Sequence, residues 1–148
     1  MKISIGCDHS ALDLKNVLID YLKEKGHEVT DRGTYTKDSC DYTDYGYAVA
    51  KDVQAGAADK GIVICFTGIG MSMIANKVKG VRCALVGSKD AAQLTREHND
   101  SNCLALSAKY TGYALAKEIV DIWLNTEFSH NERHQRRINK MTKYEEEF

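Results

Sequence analysis

A chain of 148 residues, 43% hydrophobic and 28% charged, has the size and composition of one globular domain and is too apolar for a disordered segment. Lys and Arg total 20 against 21 Asp and Glu, so the net charge is −1. That balance excludes a global attraction to nucleic acid or anionic lipid, and any bound anion must be held by a local cluster. No apolar run approaches the roughly 20 residues that span a bilayer, and Met1–Asp8 lacks a cleavable leader pattern, so a cytoplasmic protein is expected.

Short apolar runs alternate along the chain with longer amphipathic segments. Ile3–Cys7 reads as a first strand. Leu14, Val17, Leu18, Tyr21 and Leu22 then recur at helical spacing, with Gly26 placed to end that helix. Residues 27–31 read as a second strand, 33–44 as a polar and aromatic loop, and 45–56 as a helix. Gly61–Cys65 is a continuous apolar run, as a strand buried on both faces requires. A glycine-rich turn and a helix to about Lys77 follow, then a strand over 81–86, a helix over 89–98 and a fifth strand over 103–106. Ala114, Leu115, Ile119, Ile122 and Trp123 mark another helix, and the charged segment from about 131 to 147 reads as a last one. This alternation predicts one α/β domain over residues 1–148, with a five-stranded parallel sheet and helices on both faces. In such a sheet the site lies beyond the carboxyl ends of the strands, where strand order reverses. Asp8-His9 and Cys65–Gly70 are therefore the first places to look.

The five cysteines, at 7, 40, 65, 83 and 103, are odd in number and none is in a C-x-x-C spacing. Both features argue against a disulfide framework or a zinc knuckle. Cys7, Cys83 and Cys103 fall inside apolar runs, where a thiol behaves as a small buried hydrophobe.

Cys65 ends a strand, and Thr67-Gly68-Ile69-Gly70-Met71-Ser72 opens a helix. Glycines let backbone N–H groups converge on a ligand, and a helix start favours an anion and a thiolate. A dinucleotide fingerprint would need glycine at position 73, where Met73 stands, and the Gly-Lys-Ser/Thr of a Walker loop is absent. On this turn alone, a structural cysteine and a catalytic one weigh about equally. Asp8 is open to two readings, as a helix cap or as a partner of His9 in proton transfer. Arg133 and Arg137 share one helical face, where like charges repel by roughly 0.2–0.5 kcal/mol unless a ligand such as phosphate rewards them. A solvated basic face is the simpler reading of that pair in isolation. His98, at a helix end, reads equally as a cap or as an acid.

Taken together, Gly6-Cys7-Asp8-His9, Asp41-Tyr42, Cys65-x-Thr67-Gly68-x-Gly70-x-Ser72, Ala75-Asn76-Lys77, Arg96-Glu97-His98-Asn99-Asp100-x-Asn102 and Arg133-His134-x-x-Arg137 resemble type B ribose-5-phosphate isomerase. That family also includes galactose- and allose-phosphate isomerases. The resemblance runs in order from about residue 2 to about 140. It implies a Rossmann-like three-layer sandwich and an aldose–ketose isomerase acting through an enediolate, with no metal and no cofactor. Cys65 would be the base, Thr67 the hydroxyl that moves a proton between the substrate oxygens, and the amides of Phe66, Thr67, Gly68, Ile69 and Gly70 the donors that stabilise the enediolate. His98 with Asp8 would open the furanose ring. His9, Arg133 and Arg137 would hold the phosphate, Lys109 would stand where an arginine often assists, and Tyr42 and Asn99 would contact the sugar. The partner implied is a small sugar phosphate, in a site shared by two subunits of a homodimer or dimer of dimers.

The chain departs from the family pattern at several points. Phe66 replaces a glycine, Thr43 a proline, Ser10-Ala11 a small pair, and Lys109 an arginine. These changes bear on which sugar fits. A hexose 6-phosphate substrate and an inactive sugar-phosphate binding module are the competing expectations.

Overall fold

The computed structural model describes residues 1–148. Its elements are β1 (Lys2–Cys7), a 3-10 turn (His9–Ala11), α1 (Leu12–Glu24), β2 (Glu28–Asp31), α2 (Tyr42–Gln54), β3 (Lys60–Cys65), α3 (Ile69–Ala75), β4 (Cys83–Leu85), α4 (Lys89–Asn99), β5 (Cys103–Ser107), α5 (Tyr113–Asn125) and α6 (Glu132–Glu145). The strands form one parallel sheet in the order β2-β1-β3-β5-β4. From β1 the chain moves one way to β2 and then back across to β3, so strand order reverses between β1 and β3. The fold is the expected three-layer α/β sandwich.

Alternation along each strand divides the core between the two faces. Ile3, Ile5, Ile62, Ile64, Leu104 and Leu106 pack against α1, α5 and Ala92 of α4. Val63, Cys65, Cys103 and Ala105 face Val49 and Ala50 of α2 and Met71 and Ala75 of α3. Trp123 is fully buried in the first layer, its indole N–H donating to Ser101 Oγ at 2.9 Å. No helix is long and apolar enough to cross a membrane.

Several boundaries differ from the sequence reading. Helix α1 ends as expected, with Gly26 in the left-handed region (φ 88°). Helix α2 begins three residues before the expected 45, at Tyr42. Strand β4 is confined to Cys83–Leu85 rather than 81–86 because it is the sheet edge and pairs on one side only. Helix α3 stops at Ala75, where Asn76 ties it to β4: its amide donates to Cys83 O at 2.9 Å and accepts from Cys83 N–H at 2.8 Å. All five cysteines are unpaired. Cys7 and Cys103 are buried as expected, but Cys83 is only half-buried, since the edge strand leaves one flank open. Burial pushes the Cys7 thiol up to about 12, which keeps it protonated and inert at the carboxyl end of β1.

Lys15, on the apolar face of α1, was not singled out by periodicity. It is fully buried, with its ammonium on Asp31 Oδ1 and on the Thr34 carbonyl, both at 2.6 Å. It pins the start of the long loop between β2 and α2. Breaking such a buried pair costs about 3–5 kcal/mol.

Candidate active site

At the reversal point the ends of β1 and β3 lie side by side. Cys7 is in register with Ile64, and the Asp8 N–H donates to the Ile64 carbonyl at 3.2 Å. On the other flank Ser107, the last residue of β5, is in register with Cys65. Three strand ends therefore meet at one thiol, which is 5% exposed.

The turn after Cys65 is held by its own atoms. The Gly68 N–H donates to Cys65 Sγ at 3.2 Å and the Ile69 N–H to Thr67 Oγ1 at 3.3 Å. Those two amides are thus committed inside the turn, whereas the sequence reading had them facing a ligand. The amides of Phe66, Thr67 and Gly70 donate to no group in the chain and are the free donors of the turn. Thr67 Oγ1 acts as acceptor there, so its proton remains available to a neighbour. Two glycines are sterically required. Gly68 sits at φ 78°, and a Cβ on it would come 2.6 Å from Leu85 Cδ1 and 2.9 Å from the Leu106 carbonyl oxygen. A Cβ on Gly70 would come 2.6 Å from Tyr42 Cζ. The Tyr42 ring therefore lies directly on the turn, which places the first residue of α2 in the site.

Asp8 caps the 3-10 turn, its Oδ1 accepting from Ser10 N–H at 3.0 Å and from Ser10 Oγ at 2.6 Å. The capping reading of Asp8 is what the geometry contains. His9 Nδ1 accepts the Cys40 N–H at 3.2 Å, with Cys40 Sγ 3.7 Å away. An occupied Nδ1 lone pair puts the ring proton of neutral His9 on Nε2, leaving an N–H donor directed away from the loop. Cys40 belongs to the loop that Lys15 anchors, so a buried ammonium and a surface imidazole are parts of one support. Beyond β5 the backbone doubles back over the thiol turn. The Phe66 carbonyl accepts from Ser107 Oγ at 2.8 Å and from the Lys109 N–H at 2.9 Å, and the Ala108 N–H donates to the Cys65 carbonyl at 3.0 Å. Lys109 and Phe66 thereby join the Cys65 group.

The remaining candidates lie elsewhere. Helix α4 runs back from the carboxyl end of β4, so His98 in its last turn sits at the opposite end of the sheet. Asn102, just beyond it, has its carbonyl on the N–H of Gly61, near the start of β3. The four residue steps from Gly61 to Cys65 alone span about 13 Å of strand. His98 stacks on His134 of α6, ring centroids 4.3 Å apart and planes 23° from parallel. Burial, with the charges of His98, Arg133 and Arg137, holds the His134 imidazole below its ordinary value of 6.5. Arg136 on the same helix pairs with Glu132 at 2.8 Å, but Arg133 and Arg137 meet no carboxylate in the chain. The bend after α4 is locked by buried Arg96, which donates to Asp100 Oδ1 at 2.8 Å, to the Ser101 carbonyl at 2.6 Å and to the Thr126 carbonyl at 3.0 Å. Asp100 there takes a left-handed φ of 44°. Asn99 has its carbonyl on Arg82 Nε at 3.0 Å and borders a groove of about 490 Å³ between β4, α4 and α6. One chain thus holds the candidate residues in two groups: Cys65, Thr67, Tyr42, Asp8, His9, Phe66 and Lys109 at one end, and His98, Asn99, Arg133 and Arg137 at the other.

This is a doubly wound α/β protein with a thiol and uncommitted amides at the reversal point of its sheet, an arrangement suited to proton transfer on a small anionic substrate. Residues 3–141 match the family described as Ribose/Galactose Isomerase. Ribose-5-phosphate isomerase B of Escherichia coli is 43% identical over 145 residues, covering 98% of this chain and 97% of that protein. Among solved structures, ribose-5-phosphate isomerase B of Clostridium thermocellum superposes with a TM-score of 0.97 at 47% identity over 99% of both chains. The enzyme of Mycoplasma genitalium with bound ribulose 5-phosphate gives 0.95 at 42% identity, over 99% of this chain and 97% of that one. The chain belongs to the ribose/galactose isomerase family and is a sugar-phosphate isomerase.

Proposed function

We propose that the protein interconverts ribose 5-phosphate and ribulose 5-phosphate, in a site that two copies of the chain build together. The observation that carries this reading is Cys65 in a turn with three uncommitted amides, alongside the relative that binds ribulose 5-phosphate. The Cys65 thiolate takes the proton from C2 of the open-chain aldose, and the C2 electron pair moves toward C1, leaving charge on O1. Fixed N–H donors at Phe66, Thr67 and Gly70 stabilise that charge as it develops. Thr67 passes a proton between O2 and O1, and the thiol returns its proton to C1, giving the ketose. His98 moves a proton at the ring oxygen so that the furanose opens first. The Nε2–H of His9, Lys109, Arg133 and Arg137 bind the phosphate, and Tyr42 and Asn99 contact the sugar. Asp8 supports His9 by fixing the first turn after β1.

A single chain keeps His98 and the arginines at the far end of the sheet from Cys65, so a second copy must bring them. Exposed Ile69, Met73 and Leu85 offer an apolar face on which that copy can dock. The reading is tested with purified protein and ribose 5-phosphate beside a Cys65→Ala variant, which should lose about 10²–10⁴-fold in kcat. Equal turnover by the two proteins would remove Cys65 from the reaction. The shared site is tested by mixing inactive Cys65→Ala and His98→Ala proteins after dissociation. Random pairing of a two-fold dimer restores roughly a quarter of wild-type activity if each site draws on both subunits. No recovery would place both groups on one chain's site.

A further inference from the structure

We propose that Phe66, with Lys109 and Tyr110, fixes the carbon-chain length of the substrate and selects a pentose phosphate over a hexose phosphate. This rests on the reading of Cys65 as the base and Lys109 as a phosphate contact. Phe66 follows the thiol directly in sequence, yet the residue is 52% exposed, so the ring lies outside the core that takes in Cys65. The ring cannot drift with its backbone, because Ser107 Oγ and the Lys109 N–H both hold the Phe66 carbonyl. The Lys109 ammonium lies 5.3 Å from the Phe66 ring centroid and 5.3 Å from that of Tyr110. At that distance each ring face attracts the cation. The Tyr110 backbone is itself tied back, its N–H on Ser107 Oγ at 3.0 Å.

One short stretch therefore reads both ends of the substrate. The thiol marks the reacting carbons, the ammonium marks the phosphate, and Phe66, next to the one in the chain and with its ring 5.3 Å from the other, sets the separation. A sugar phosphate longer by one hydroxymethylene must either push the ring aside or pull the ammonium off two aromatic faces. A pocket that discriminates a single methylene does so by about 10–200-fold.

The test compares kcat/KM for tetrose 4-, pentose 5- and hexose 6-phosphates in wild type, Phe66→Gly and Phe66→Tyr. In Phe66→Gly the hexose-to-pentose ratio should rise by about 10-fold or more, while Phe66→Tyr, which keeps the ring, should retain the wild-type ratio. General damage to the fold lowers all three substrates alike and leaves the ratio in place. An unchanged ratio in Phe66→Gly, or an equal change in Phe66→Tyr, overturns the proposal. The same panel read by ligand-induced rise in Tm reports length preference without turnover. If wild type fails to isomerise ribose 5-phosphate, the functional reading falls, and the Tm ranking of the three sugars in Phe66→Gly still decides the length question.

Discussion

The two groups of candidate residues, around Cys65 and around His98, are built in different ways. Around Cys65 the functional groups are backbone amides and side chains fixed at strand ends, where neighbouring strands leave little freedom. Around His98 they are exposed side chains on α4 and α6, held by ring stacking and by the buried Arg96 beneath them. The Cys65 end is suited to chemistry that needs donors in fixed positions, and the other end to gripping an anion with long, unpaired cations. The difference also says where substitutions will act: the first end should respond in kcat, the second in KM.

That contrast can be broken by cutting the support under each end. Lys15→Met leaves Asp31 and the Thr34 carbonyl without their cation, and Arg96→Met takes one of two cations from Asp100, the other being Arg82 at 3.5 Å, and the donor from two carbonyls. Lys15→Met should cost about 3–5 kcal/mol in denaturant unfolding, and Arg96→Met less, because Arg82 still faces the part-exposed Asp100. Arg96→Met should also raise KM, whereas Lys15→Met acts through the loop that orients His9. A next effect separates two arginines of α6. With Arg137 on the phosphate as proposed, Arg137→Ala removes a charged hydrogen bond worth about 1.5–3 kcal/mol and should raise KM by roughly 10–100-fold. Arg136→Ala breaks only an exposed pair with Glu132, worth about 0.3–0.5 kcal/mol, and should leave KM in place. Equal KM changes in the two variants would erase the distinction between the unpaired and the paired arginine.

Smaller still is the steric link between the thiol turn and α2. Gly70→Ala sets a methyl against the Tyr42 ring, and such overpacking costs about 1–3 kcal/mol. The cost should shrink in the Gly70→Ala, Tyr42→Ala double variant; strict additivity of the two changes would show that the ring can move away freely. The smallest effect is one of pH. His134 is held below its unfolded value of 6.5, so the unfolded chain takes up its proton first. Stability should therefore fall as pH drops through that value, toward the lower folded pKa, as His134 gains charge against His98, Arg133 and Arg137. His134→Phe keeps the stack without the titration, and its Tm should vary less with pH between about 7 and 5. A parallel pH profile in wild type and variant would assign the effect to another group.

The strand–helix order, the doubly buried β3 and the thiol turn at its end were legible in the sequence, because each is written in local periodicity or in a run of glycines. The reversal point was legible too, since parallel strands leave few ways to connect. Other features hang on residues far apart in the chain. Nothing local announces that Lys15 reaches Thr34, that the Cys40 amide fixes the tautomer of His9, or that Gly68 and Ile69 spend their amides on their own turn. Edge position shortened β4, and local pattern does not say which strand is the edge. Above all, the motif residues looked like one constellation when read in a line. Packing parted them, because a helix returning from a parallel strand delivers its last turn to the opposite end of the sheet. The sequence by itself determined the elements and the chemical groups; tertiary structure decided which groups meet, since that depends on handedness, register and the direction of each returning helix.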